Sequence, residues 1–226
     1  MRGPKDEPTM TRLSSLRVER LRPVVPEGGL RALPSVELNE RSRAMLEAAE
    51  AASLGSPIWR ARKTAETREI LALGQIADRF RVLEVRMHTD LLVVAELHVT
   101  VPCLEAPGQP LQVLPMALLG LKYPEAVLAE AVPGTAFVQI LAPGAVWHAN
   151  VARAFGQPMC LGPRMPVGIP LREIVILTYG ALSMQTVQLD PGDAAGVLNA
   201  AAAEFWQANL DRIPLTRASF LSAAGQ

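Results

Sequence analysis

Cys160 lies in Gln157-Pro158-Met159-Cys160-Leu161-Gly162-Pro163, a stretch whose glycine and prolines read as irregular, exposed backbone. A loop thiol can become a thiolate nucleophile if its surroundings permit. Ten residues upstream is Asn150, within His148-Ala149-Asn150. A fixed carboxamide N–H can stabilise the oxyanion of an acyl transfer, and such a donor is worth roughly 3–4 kcal/mol in other enzymes. Downstream, Leu189-Asp190-Pro191-Gly192-Asp193 interrupts two helical patterns. A carboxylate there, Asp193, can orient or deprotonate an attacking amine. The three elements supply a nucleophile, an oxyanion donor and an acid/base group.

Each residue also has a plainer role. Cys160 can be an inert loop thiol, and Asn150 can bond its own turn. Asp190 before Pro191-Gly192 is turn chemistry, and Asp193 can cap the alanine-rich helix that follows. His148 reads more as a ring bonded to the loop backbone than as a catalyst. Cys103 ends a β-rich run, Val99-Thr100-Val101-Pro102-Cys103, and reads as a packed side chain. His88, His98 and His148 are scattered, so no zinc cluster is expected. No phosphate-binding Gly loop occurs, and no cofactor is expected.

These residues need a scaffold, and the chain is long enough for one. Of its 226 residues, half are hydrophobic. Lys plus Arg and Asp plus Glu both number 22. That balance lacks the basic excess of a generic nucleic-acid binder. Two cysteines are too few for a disulfide framework and suit a reducing compartment. The start, MRGPKDEPTM, has no apolar signal core. The richest apolar stretch, Val113 to Leu121, is too short to span a bilayer. A soluble, cytoplasmic protein is expected, with no membrane partner.

Residues 1–57 read as an N-terminal extension with one helix. Pro4, Pro8, Pro23, Pro26 and Pro34 break its first part. Asn39 can cap a helix over 36–53. Residues 58–226 read as the main domain. Ile58 to Phe80 is an amphipathic helix with Ile70, Leu73, Ile76, Ala77 and Phe80 on one face. Its first half carries Arg60, Arg62, Lys63 and Arg68. Cations near a helix N-terminus oppose the dipole, so the cluster reads as a solvated face or a partner-docking patch. Arg81 to Leu141 has strand periodicity, giving an antiparallel meander of four strands. Leu171 to Val187 and Ala194 to Leu210 are helical. The fold class is α+β, with helices on one side of an antiparallel sheet.

His148-x-Asn150, Cys160-Leu161 and the Asp190–Asp193 turn together resemble the ubiquitin-conjugating enzyme family over residues 58–214, with Tyr123-Pro124 matching a further element. The likeness is closest to divergent bacterial members found beside ubiquitin-like modifiers, activating enzymes and deconjugating peptidases, some of which act in antiphage defence. Ala149 stands where the family has proline, and the loop from Asn150 to Cys160 is longer. The resemblance implies an N-terminal helix, a four-stranded meander, an active-site loop and C-terminal helices. It implies that Cys160 carries a ubiquitin-like modifier as a thioester, that Asn150 supports isopeptide formation and that Asp193 positions a lysine of a protein substrate. It also implies that the basic helix docks on the activating enzyme. An inactive interaction module of the same fold and a Cys-His hydrolase are the alternatives.

Overall fold

The computed structural model describes residues 36–193 and 196–221. The proline-rich stretch 1–35, read above as part of an extension, lies outside the described residues. Helix α1, Glu40–Ala51, begins where Asn39 accepts the Ser42 amide, the cap its side chain predicted. Helix α2, Pro57–Ile76, starts with Ser56 as cap and proline in the first turn. Gly55 precedes it at φ +108°, and a Cβ there would lie 2.8 Å from the Trp59 ring. The helix stops at Ile76 rather than Phe80. Ala77 turns extended, and Phe80 instead opens the first strand as a buried residue.

The strands follow as β1 Phe80–Met87, β2 Leu91–Leu97, β3 Val101–Cys103, β4 Gln112–Leu114, β5 Ala117–Tyr123, β6 Val138–Ala142 and β7 Pro158–Met159. Five form one antiparallel sheet in the order β1-β2-β5-β6-β7. The expected meander is β1, β2, β5 and β6. Two features were not expected. Pro115 has no N–H to continue a ladder, so the apolar run from Leu111 to Leu121 divides into β4 and β5, and β4 folds back on β3 as a separate hairpin. Short strand β7 adds a fifth member, with Met159 opposite Val138. Alternation along β2 puts Leu91, Val93, Ala95 and Leu97 in the core.

Helix α3 runs Leu171–Leu182, ending before the predicted Val187 with Met184 at φ 62°. Helix α4 is Ala200–Ala208, capped by Asn199 on the Ala202 amide. It starts later than the predicted Ala194, and Asp193 is not its cap. Core residues come from both the sheet and the helices: Trp59, Ile70 and Leu73 of α2, and Leu171, Ile174 and Val175 of α3. Leu46 and Ala49 of α1 join the same core. A smaller cluster gathers Trp147, Met184, Ala202 and Trp206. There the Trp206 indole donates to the Trp147 carbonyl at 3.0 Å, which ties α4 to the segment entering the candidate site.

Candidate active site

The segment after β6 runs alongside β3, where the Trp147 amide donates to Pro102 O at 2.7 Å. The next residue, His148, is fully buried. Its Nε2 lies 2.9 Å from Ala181 O on α3, and its Nδ1 accepts the Asn150 amide at 3.0 Å. Accepting at Nδ1 leaves Nε2 as the protonated nitrogen, so the ring is neutral. Burial drives its pKa down to about 4, opposed by the Ala181 hydrogen bond. Both ring nitrogens are thus spent on backbone. His148, a candidate beside Cys160 in the sequence, is a strut between the loop and α3, the backbone-bonded role its context favoured.

That strut fixes Asn150. Its carbonyl accepts the Cys160 amide at 2.8 Å, so the two residues sit side by side at the base of a closed loop. The closure continues through a bridge between Val151 and Met159 and the Ala152 amide on Pro158 O. The Asn150 side chain is also buried. Its Nδ2 donates to Gly196 O at 2.8 Å, while Oδ1 has no hydrogen-bond partner among the described residues. Cys160 itself is only 3% exposed. The irregular, exposed backbone expected here is met past Cys160; Pro158–Met159 is strand β7, and the thiol points inward, with Sγ 3.4 Å from Gly162 O. Gly162 is held from behind: a Cβ on Gly134 would lie 2.3 Å from Gly162 O, so position 134 must lack one.

Asp193 reaches this site through backbone. Its carbonyl accepts the Gly196 amide at 3.1 Å and the Val197 amide at 2.9 Å. A hydrogen-bonded path therefore runs from the Cys160 amide through Asn150 and Gly196 to the Asp193 turn. The next amides along, Leu198 and Asn199, both donate to Ala149 O. The Asp193 carboxylate accepts from the Gln188 amide group at 2.9 Å, and Asp190 Oδ1 accepts the Gly192 amide, as its turn chemistry predicts. Cys103 is buried in β3, and desolvation followed by nearby Glu105 pushes its thiol up to about 11, the packed role its context predicted. Among the described residues, no group of His, Cys, Asp and Glu is arranged to hold a metal.

The basic cluster on α2 divides in two. Lys63 is fully buried. Its ammonium donates to Leu54 O at 2.6 Å, to Met87 O at 3.5 Å and closely to His88 O. Arg62 pairs with Glu66 at 2.7 Å and donates to Tyr123 Oη and Gly168 O. Lys63 is therefore not available as a docking patch, a correction to the sequence reading, and half-buried Arg62 is engaged within the fold. Only Arg60 and Arg68 are exposed. Helical spacing alone did not show that the chain folds back over the helix's first turns, where its carbonyls meet these cations.

Sequence reasoning missed Glu66. This buried carboxylate accepts the Leu171 amide at 2.7 Å, which caps α3 where Pro170 offers no side-chain acceptor. Desolvation raises its pKa, while the Leu171 amide and then Arg62 oppose that. The available signal was the Arg62–Glu66 spacing, one turn apart on a helix. Tyr123, at the end of β5, donates to Ile169 O at 2.7 Å, and burial pushes its hydroxyl up to about 12.

No protein-family model, curated protein or solved structure matches this chain. Fold and site define an α+β protein with an antiparallel sheet and a buried thiol hydrogen-bonded, through its backbone, to an asparagine. No helix of the described residues is long and apolar enough to cross a membrane.

Proposed function

We propose that this chain is a conjugating transferase of the ubiquitin-conjugating type. In this reading Cys160 Sγ, as thiolate, attacks the modifier's C-terminal thioester on an activating enzyme. The activating enzyme's thiol leaves, and Cys160 holds the acyl group. A lysine amine of the protein substrate then attacks, the isopeptide bond forms, Cys160 leaves as thiolate, and the amine's proton passes to a base such as Asp193. ATP would be used by the activating enzyme, not here. A role in bacterial antiphage defence is part of the same reading.

One observation carries it: the Cys160 amide donates to the Asn150 carbonyl at 2.8 Å, so the backbones of the proposed nucleophile and amide donor, ten residues apart in sequence, are neighbours. Supporting it, helices follow the thiol loop, as the resemblance implies. Tyr123-Pro124 ends the third meander strand, ahead of β6, rather than standing between the meander and the thiol loop as the resemblance implies. Asn150 would act through Nδ2, one of whose hydrogens is committed to Gly196 O. The second reading is an interaction module of the same architecture without thiol chemistry, and the near-complete burial of Cys160 favours it. A hydrolase is disfavoured because His148 lacks a nitrogen to serve as base. Incubation with modifier, activating enzyme and ATP separates the first two readings: a reducing-agent-sensitive adduct supports the transferase, and none supports the module. Asn150→Ala should still accept modifier but pass it poorly to lysine, since aminolysis needs oxyanion support more than thiol exchange does. Unchanged discharge would leave Asn150 with a turn role only.

A further inference from the structure

Strand β7 delivers the thiol, and it is only two residues long. Pro158 and Met159 lie opposite Gln139 and Val138 at the edge of the sheet, and Cys160 follows directly. So short a ladder specifies its register weakly, and Pro158 has no N–H to add to it. A slip of two residues along β6 would keep the same faces inward and move the thiol by about 7 Å. The ladder alone therefore does not fix where Cys160 sits.

Gln157, the residue before β7, supplies a stronger hold. Its backbone is left-handed at φ 42°, and its amide closes a turn on Ala154 O at 2.9 Å. Its carbonyl accepts the Ile140 amide at 3.1 Å. The side chain then reaches the connection that leaves β6. Oε1 accepts the Val146 amide at 2.8 Å, and Nε2 donates to Ile140 O at 3.0 Å and to Pro143 O at 2.7 Å. Both carboxamide hydrogens are used, and every partner is main chain. Glutamate has the same reach without the donors, and leucine a similar volume without donor or acceptor. Val146 opens the segment that leads to Asn150, and Gln157 the one that leads to Cys160. Beyond Gln157 the two segments meet through main chain: Val151 bridged to Met159, the Ala152 amide on Pro158 O and the Cys160 amide on Asn150 O.

We infer that Gln157 is a positioning residue for the acyl transfer: it locks β7 in one register and so keeps the Cys160 and Asn150 backbones side by side. Its consequence for transfer rests on the thioester reading, whereas the lock is a property of the chain by itself.

Thiol labelling of the full chain tests the lock without modifier or ATP. Cys103, also buried, is the internal control for global opening. In Gln157→Leu, Cys160 should react with a maleimide about tenfold faster than in the wild type, with Cys103 unchanged. Gln157→Glu, which keeps the Val146 bond, decides the matter if Gln157→Leu fails to fold. At pH 8 the introduced carboxylate faces the Ile140 and Pro143 carbonyls with no proton to give, and on protonation it recovers one donor. Its Cys160 labelling rate, divided by the wild-type rate at the same pH, should therefore fall as pH drops from 8 to 5.5. A space-filling role would leave that ratio flat. With activating enzyme, modifier and ATP, Gln157→Leu should pass modifier to lysine about 10–100-fold more slowly than the wild type. Wild-type labelling of Cys160 in Gln157→Leu, equal acceleration of both thiols, or a flat ratio in Gln157→Glu would overturn the lock. Faster labelling with unchanged transfer would overturn its role in positioning. A wild type that is never charged, with labelling as expected, would sink the thioester reading and uphold the lock.

Discussion

His148 makes the sharpest residue-scale prediction. Its folded pKa, about 4, lies below the unfolded value of about 6.5. Between those values the unfolded chain binds a proton that the folded chain refuses, so stability falls as pH falls. Its contribution is complete above about pH 6.5 and is lost progressively toward pH 4, a change of up to about 3 kcal/mol. Urea unfolding at pH 7.5, 5.5 and 4.5 should show that decline, and His148→Gln should show a shallower one from a lower starting stability. Parallel slopes would mean that other groups cause the acid sensitivity. The sequence disclosed the residues of this site but not their burial. Gly162 and Pro163 announced irregular backbone correctly, while Pro158 belongs to strand β7, and whether a loop side chain points in or out depends on what covers it. Here Gly134 and Gly196, remote in sequence, supply the neighbours. Asp193 was misread as a cap because Asn199, six residues on, was the residue whose carboxamide met the helix's first amides.

At the scale of elements, α2 carries the lesson and two tests. Its start, its cap pattern and its apolar face were legible from Pro57, Ile70 and Leu73. Its cations were not, because a buried lysine and an exposed one share one letter. Lys63→Met should lose about 2–3 kcal/mol in chemical denaturation, the cost of leaving buried carbonyls without a donor. Arg60→Glu with Arg68→Glu should unfold near the wild-type midpoint, since both side chains are exposed. Equal losses in the two variants would contradict the division of the cluster. If α2 docks on an activating enzyme, that exposed pair, not buried Lys63, should govern the salt dependence of charging. The connection before β6 offers the other test. Gly134→Ala places a methyl against the Gly162 backbone, which cannot swing aside as a side chain can. It should destabilise by about 2 kcal/mol and increase thiol labelling of Cys160, the residue whose Sγ bonds Gly162 O. Labelling unchanged at lower stability would separate the two glycines' packing from the thiol.

Across the whole molecule, the α+β class and the order helix, meander, thiol loop, helices followed from periodicity and turn residues. The β3–β4 hairpin and strand β7 did not, since two- and three-residue strands leave no periodic signal and depend on partners far along the chain. The start of the folded body was also hidden. Leu38, Leu46 and Ala49 are buried, yet a short helix beside a proline-rich stretch looks detachable on paper. The account's central claim concerns Cys160 as an acyl carrier, and intact-mass analysis tests it most directly. After incubation with modifier, activating enzyme and ATP, the wild type and Cys103→Ser should gain the mass of the modifier less one water, and dithiothreitol should remove it. Cys160→Ser should gain the same mass in a form that resists dithiothreitol. An adduct on Cys160→Ala, or none on the wild type while the activating enzyme itself is charged, would contradict the account.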